Sequence, residues 1–406
     1  MVCASKNPAH ARHRATGMAD YPANGSPVRR SRVLSSGRRG LEGGVGYGGR
    51  TQISRNSGPK LQDDVKLLSE DELGLIHALQ LQPRASWTDL GRALGVDPVT
   101  VARRWGRLTE RGEAWVNLSA GPRLFEQICT AFVEIDCVAT AGAAVADALV
   151  SHPYVLTLER TAGAHAFLAT VATRDLAAMS RYTLDVLPTV PGVTAVRTRL
   201  VTHMFTEAGH WRIAALGPAQ QARLTALGHP APAQHAHEFT AFDQSLMAQL
   251  AYDGRASHQA LADALATSAS TVKRRLDRLT RLGLLRFRCD FARPLGGWPV
   301  TVTFWATVPP ADLPNVGHAL VRLPETRNCA ATSGPHNLIL QACLHSVEDV
   351  LRIEQHVATT HPGIEIAERA VTLRCHKLQG HVLDSHGRSV AVVPPHVWSD
   401  PAHIGH

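Results

Sequence analysis

Seven Lys or Arg crowd into residues 268–288, against the single acid Asp277. Lys273, Arg274, Arg275 and Arg278 follow closely on three hydroxyl residues, Ser268, Ser270 and Thr271. Hydroxyls and backbone N–H groups at a helix start suit phosphate oxygens, and guanidinium groups suit phosphates or guanine edges. That chemistry is recognition of double-stranded DNA, not bond making. Other chemistries lack their residues. The 22 His form no HExxH, and the pair Cys375-His376 has no counterpart elsewhere in the chain. Cysteines 3, 129, 137, 289, 329, 343 and 375 form no CxxC, and no Gly-rich phosphate loop or GxSxG elbow occurs. No catalytic residue, metal or cofactor is therefore assigned.

To present these side chains to a groove, the segment must be the second helix of a helix-turn-helix, entering N-terminus first. The spacing predicts it. A helix spans Phe242 to Tyr252, Ser257 caps a second over His258 to Leu265, and Ser268 caps a third ending at Gly283. Val272, Leu276 and Leu279 share one helical face and should be buried. Ser270, Thr271, Lys273, Arg274 and Arg278 should lie on or near the other.

The same layout occurs 171 residues earlier. Over 84–112 against 255–283, 14 of 29 positions are identical without a gap. Arg84-Ala85-Ser86 returns as Arg255-Ala256-Ser257, Arg103-Arg104 as Arg274-Arg275, and Gly112 as Gly283. In the earlier copy Ser86 caps one helix, and Asp97-Pro98 opens the next with a cap followed by proline. Its DNA candidates are Thr100, Arg103, Arg104 and Arg107. The stretch 97–117 balances at only +1, against +6 for 268–288. Trp105 and Trp115 suggest a shift toward packing. The second copy is thus expected to be the main DNA reader.

Behind each helical part, alternation of strand and helix patterns gives βαββαβ. Strands are expected at 129–138, 154–162, 165–172 and 193–206, and again at 299–308, 326–333, 336–344 and 363–376. Helices are expected at 140–151, 174–187, 312–323 and 346–360. This order builds a ferredoxin-like sandwich, two helices on one face of an antiparallel sheet. The offset persists through it: Gly163 pairs with Gly334, His165 with His336, and Pro191-Gly192 with Pro362-Gly363. The fold class is α+β, in two tandem units. The domains are a basic tail over 1–62, helix-turn-helix domains at 63–120 and 238–292, and ferredoxin-like domains at 121–207 and 293–378. A linker covers 208–237 and an extension of unassigned role covers 379–406.

The net charge of +8 does not by itself argue for an anionic partner. Residues 1–60 hold eleven Lys or Arg and two acids, so the remainder balances near −1. With few large apolar residues, the tail is read as disordered. No run of 18 apolar residues exists, so no membrane span is expected. Scattered thiols point to a reducing, cytoplasmic setting.

Asp253-Gly254-Arg255-Ala256-Ser257, Thr271-Val272-Lys273-Arg274-Arg275-Leu276 and Leu279-Thr280-Arg281-Leu282-Gly283-Leu284-Leu285 resemble the N-terminal domain of Lrp/AsnC transcriptional regulators. The βαββαβ part resembles that family's ligand-sensing and oligomerisation domain, so the resemblance covers about 65–206 and 238–378 in tandem. It implies a DNA-binding regulator that assembles through its sheets, one chain acting as a covalent pseudo-dimer. It also implies an amino-acid-type effector near the Gly-containing turns 161–166 and 332–337, with Gly163, His165, Gly334, His336 and Asn337 as candidate contacts. Many members carry Asp where this sequence has Ala166 and Asn337, which removes a partner for an α-ammonium group. A related branch with this layout, the siroheme decarboxylases, is the enzyme alternative, with His165 or His336 serving an acidic tetrapyrrole. The third reading is an assembly protein with vestigial helix-turn-helices.

Overall fold

Hydroxyl and carboxylate caps define the helices of the first domain. The computed structural model describes residues 66–228 and 239–401, so the expected basic tail lies outside the described residues. Helix α1 (Glu70–Leu81) opens on a capping box between Ser69 and Glu72, α2 (Trp87–Leu94) on Ser86, and α3 (Pro98–Glu110) on Asp97. Each such cap satisfies an orphan N–H and is worth about 1 kcal/mol. Strand β1 (Ala114–Ala120) and the short α4 (Pro122–Phe125) follow. Then come β2 (Cys129–Cys137), α5 (Gly142–Val150), β3 (Val155–Ala162), β4 (Phe167–Thr173), α6 (Leu176–Arg181, continuing as further helical turns) and β5 (Val193–Thr206). Helix α7 (Pro218–Thr225) lies in the connection.

The second copy repeats the plan. Helices α8 (Ala241–Tyr252), α9 (His258–Ala264) and α10 (Ala269–Arg281) are capped by Thr240, Ser257 and Ser268. They lead through β6 (Leu285–Phe291) into β7 (Val300–Thr307), α11 (Leu313–Leu320), β8 (Thr326–Thr332), β9 (Leu338–Leu344), α12 (Asp349–Thr360) and β10 (Glu365–Leu378). A hairpin, β11 (His381–Leu383) and β12 (Ser389–Val392), ends the sheet.

Pairing between the copies has a pseudo-two-fold pattern. Strand β1 runs antiparallel to β6, and Asn117 lies opposite Arg288, its own counterpart 171 residues on. The long β5 pairs with β2 through its first half and with β8 through its second. Strand β10 does the same with β7 and β3. Eight strands therefore close on one another in the order β10-β3-β4-β2-β5-β8-β9-β7 and back to β10. Closure removes the exposed sheet edges each copy would otherwise present. Phe132, Leu168, Trp305, Ala330, Ile339 and Ala370 fill the space between the two sheets, while α5–α6 and α11–α12 cover the outer faces.

Both connecting segments are structural. Trp211, Ile213, Leu216 and Leu224 are buried against the first helical domain, where His77 Nδ1 accepts from the N–H groups of Ala215 and Leu216 at 3.2 and 3.1 Å. Burial pushes His77 down to about 4, which keeps its imidazole neutral and able to accept. The C-terminal extension spans both layers. Ser389 N–H donates to Gly112 O at 2.8 Å, Trp398 packs on Phe239, and Arg181 pairs with Asp400 at 3.1 Å.

Candidate nucleic-acid interface

Three apolar residues seat the second recognition helix. Val272, Leu276 and Leu279 of α10 are buried, as their spacing predicts, with Leu246, Leu250, Leu261 and Ala262 in the same core. The opposite face carries Ser270, Lys273, Arg274 and Arg278 exposed, with Thr271 half-buried at the first turn. Ser268 caps the helix: its Oγ accepts from Thr271 N–H at 3.1 Å and lies 2.9 Å from the hydroxyls of Ser270 and Thr271. Lys273 leans on Asp277 at 2.7 Å, whereas Arg274 and Arg278 make no ion pair among the described residues. Free guanidinium groups projecting from a helix with a hydroxyl-rich start can meet phosphates or base edges.

One residue of the basic run faces elsewhere. Arg275, counted with the DNA contacts on sequence, grips the carboxylate of Asp243 with Nε and Nη2 and reaches Thr240 Oγ1 at 3.0 Å. Asp243 is wholly buried, so Arg275 anchors α10 to the capped end of α8. Arg104, its counterpart, likewise reaches back to Asp71 of α1 at 2.8 Å. At helical spacing, position 275 lies between the buried and exposed faces, and the sequence alone does not say which way a long side chain turns there.

The first recognition helix presents less. Arg103 and Arg107 of α3 are exposed and Thr100 is half-buried, but the cap is Asp97, whose carboxylate accepts from Val99 N–H and Thr100 N–H at 2.9 and 3.3 Å. An acid stands where Ser268 stands in α10, and Val99, 74 % exposed, replaces Ser270. Both substitutions disfavour a phosphate at that helix end. Trp105 and Trp115 are buried, and Trp115 stacks on His381 at 4.8 Å.

A reciprocal clasp fixes the two helix-turn-helix domains relative to each other. Arg84 donates to the carbonyls of Gly254 and Ala256, while Arg255 donates to those of Pro83 and Ala85, at 2.9 Å from Nη2 to Ala256 O and 2.8 Å from Nη2 to Ala85 O. Arg255 also lies 4.0 Å above the Trp87 ring and Arg84 5.1 Å from that of Phe287. Burial, with repulsion from Arg84, pushes Arg255 down to about 10. The repeated Arg-Ala-Ser is thus both a helix cap and the contact between copies. Repetition was visible in the sequence; the mutual contact was not.

The Gly-containing turns lie at the seams between copies. Ser333 N–H donates to Leu200 O at 2.8 Å, so the second turn rests on β5. Gly334 has φ 105°, and a side chain there would meet Arg199. The first turn rests on β10, where Ala164 N–H donates to Glu368 Oε1 at 3.2 Å. Gly163 is needed there for close approach, because a Cβ would fall 2.7 Å from that of Ala370. His165 Nε2 contacts Glu134 Oε2 at 2.9 Å, Arg199 grips the same carboxylate, and Arg197 binds Asp136 at 2.8 Å. The hydrogen bond to Glu134 raises His165 against the effect of burial. Burial would raise Glu134, yet His165 and Arg199 together hold it below its ordinary value. In the second turn, Asn337 is engaged by the Val308 peptide at both ends of its amide, 2.9 and 2.8 Å, and His336 Nδ1 lies 3.2 Å from Thr307 Oγ1.

These features agree with the comparisons with known proteins. The AsnC-type helix-turn-helix domain model matches residues 72–109 and 239–280, and the Lrp/AsnC ligand binding domain model matches 130–209. Those residues therefore carry AsnC-type helix-turn-helix domains in both copies and an Lrp/AsnC ligand-binding domain in the first. An uncharacterized HTH-type transcriptional regulator of Pyrococcus abyssi is 28% identical over 130 residues, 32% of this chain and 82% of that relative. A counterpart from Pyrococcus horikoshii is 26% identical over 135 residues, 33% of this chain and 85% of its own length. Among solved structures, the siroheme decarboxylase NirDL matches at TM-score 0.50 and 11% identity, over 78% of this chain and 96% of its own. At that identity the likeness is one of fold. Among the described residues no helix is long and apolar enough to cross a membrane, and no three His, Cys, Asp or Glu gather as a metal site.

Proposed function

We propose that this chain is a sequence-specific DNA-binding transcriptional regulator, in which one chain supplies both halves of a dimeric reader. The carrying observation is the unequal pair of recognition helices: α10 offers Lys273, Arg274 and Arg278 behind a serine cap, and α3 offers Arg103 and Arg107 behind an aspartate. On this reading α10 makes the main base and phosphate contacts, with Ser270 and Thr271 assisting. Thr100, Arg103 and Arg107 make weaker ones, and the preferred DNA has imperfect two-fold symmetry. Larger assemblies form between copies of the chain.

Effector control belongs to the first turn. There Asp136 and Glu368 bring carboxylates to the N–H groups of Ala166 and Ala164, supplying from neighbouring strands the acid that position 166 lacks. Gly163 and His165 flank that site, and Gly334 brings the second turn against Arg199. Asn337 and His336 have the partners described and brace the second turn.

The test is selection of bound fragments from random DNA by the full chain beside Arg274→Ala/Arg278→Ala. A motif that the variant loses supports the regulator. A motif retained by the variant, or no enrichment by either protein with and without added amino acids, overturns it. The fold likeness to NirDL keeps an enzyme as the second reading, although a shared fold does not transfer a reaction. A coloured complex with siroheme and release of carbon dioxide would select that reading.

A further inference from the structure

Arg327 sits at a bulge in β8, between Thr326, which pairs with Ala342, and Asn328, which pairs with Gln341. A bulge re-aims the side chain it carries. Here the residue lines a cavity of about 90 Å³ between the end of the barrel, β1 and the second helix-turn-helix. That is room for roughly six waters. Arg327 is only 3 % exposed, and its guanidinium has no hydrogen-bond or ion-pair partner among the described residues. Arg293 and Arg288 stand near enough to repel it, and the acids around it are already engaged: Asp290 and Glu207 by Arg288 at 2.7 and 3.3 Å, and Glu159 by Gln341 at 3.0 Å. A buried, unpaired guanidinium is costly to a fold.

The repeat supplies an internal control. Strand β3 has the same bulge at Leu156, 171 residues earlier, and Leu156 lines the same cavity. An apolar residue therefore satisfies this backbone position, and the fold does not require arginine there. Elsewhere in the wall, Met204, Met247 and Trp398 are apolar, while the buried hydroxyls of Ser119 and Thr130 have no partner among the described residues.

We propose that this cavity binds a small organic carboxylate with an apolar tail, the carboxylate on Arg327 and the tail against Met204, Met247 and Trp398. The site is separate from the Gly163 and Gly334 turns, none of whose residues line it. Met247 belongs to α8 and Trp398 to the C-terminal extension, so an occupant touches the second DNA reader and the barrel together.

Thermal unfolding of the full chain at constant ionic strength tests this without DNA, so the outcome is independent of the regulator proposal. Acetate, butyrate and 4-methylpentanoate should raise Tm with concentration, the last most strongly, and 4-methylpentanamide should not. Arg327→Leu, which copies Leu156, should abolish the response while raising the Tm of the ligand-free chain. Crystals of the unaltered chain grown with 5-bromopentanoate give a readout that needs no variant, and should place the carboxylate against Arg327. The proposal is overturned by no response to any carboxylate, an equal response to the amide, an unchanged response in Arg327→Leu, or water alone beside Arg327 in those crystals.

Discussion

Neighbouring arginines on α10 should respond to alanine in opposite ways. Arg275→Ala leaves the Asp243 carboxylate without its main ion-pair partner, and that carboxylate is fully buried. Breaking a buried pair costs roughly 3–5 kcal/mol. The Arg275 side chain keeps 23 % of its exposure, so screening reduces the expected loss to about 2–3 kcal/mol. Arg274 is exposed, so Arg274→Ala should change stability by no more than about 0.5 kcal/mol. On DNA the order reverses. If Arg274 reads a base, its loss costs about 1–3 kcal/mol, or roughly 5- to 150-fold in Kd. Arg275→Ala, measured well below its unfolding transition, should stay within about twofold of the parent. Urea unfolding and fluorescence anisotropy on a selected fragment give the two quantities. The pair Arg275→Met/Asp243→Leu should recover most of the stability, since no buried charge is then left alone. An Arg275→Ala chain of normal stability that loses DNA as Arg274→Ala does would refute the assignment of Arg275 as an anchor.

Three further outcomes follow from the geometry. Arg255→Ala should weaken binding to a two-half-site fragment while leaving affinity for a single α10 half-site unchanged, because the clasp with the first copy touches no DNA-facing residue; equal losses on both fragments would count against it. His165 has a raised folded pKa, so its stabilising contribution is complete below its unfolded value of about 6.5 and is lost as pH rises through the folded value. The stability gap between the parent and His165→Gln should therefore be larger at pH 6 than at pH 8.5, and a flat gap in urea unfolding refutes the Glu134 contact. Gly112→Ala should destabilise more than Gly283→Ala: both have positive φ, 64° and 66°, but only at 112 would a Cβ strike the Ser389 carbonyl, so matched losses would disprove that contact.

Local rules made much of this protein legible from its sequence. The caps at Ser86, Asp97, Ser257 and Ser268, the buried face Val272, Leu276 and Leu279, and the βαββαβ order depend on contacts within a few residues, where spacing and residue type suffice. The repeat announced two copies, and the charge imbalance showed that they had diverged. Strands β1 and β6 escaped because a two-stranded ribbon exists only when each copy finds the other. Helix α7 and the β11–β12 hairpin sat in segments whose polar, proline-rich composition reads as connection, and their order comes from burial against α1 and β10. The tertiary structure alone decided that Arg275 turns inward, that Arg84 and Arg255 clasp across the copies, and that β5 and β10 each bridge two sheets. It also placed Arg327 of one copy in the same cavity as Leu156 of the other. Sequence spacing determines which face of an element a side chain occupies. What stands opposite that face depends on partners more than a hundred residues away, and here those partners lie in the other copy of the repeat.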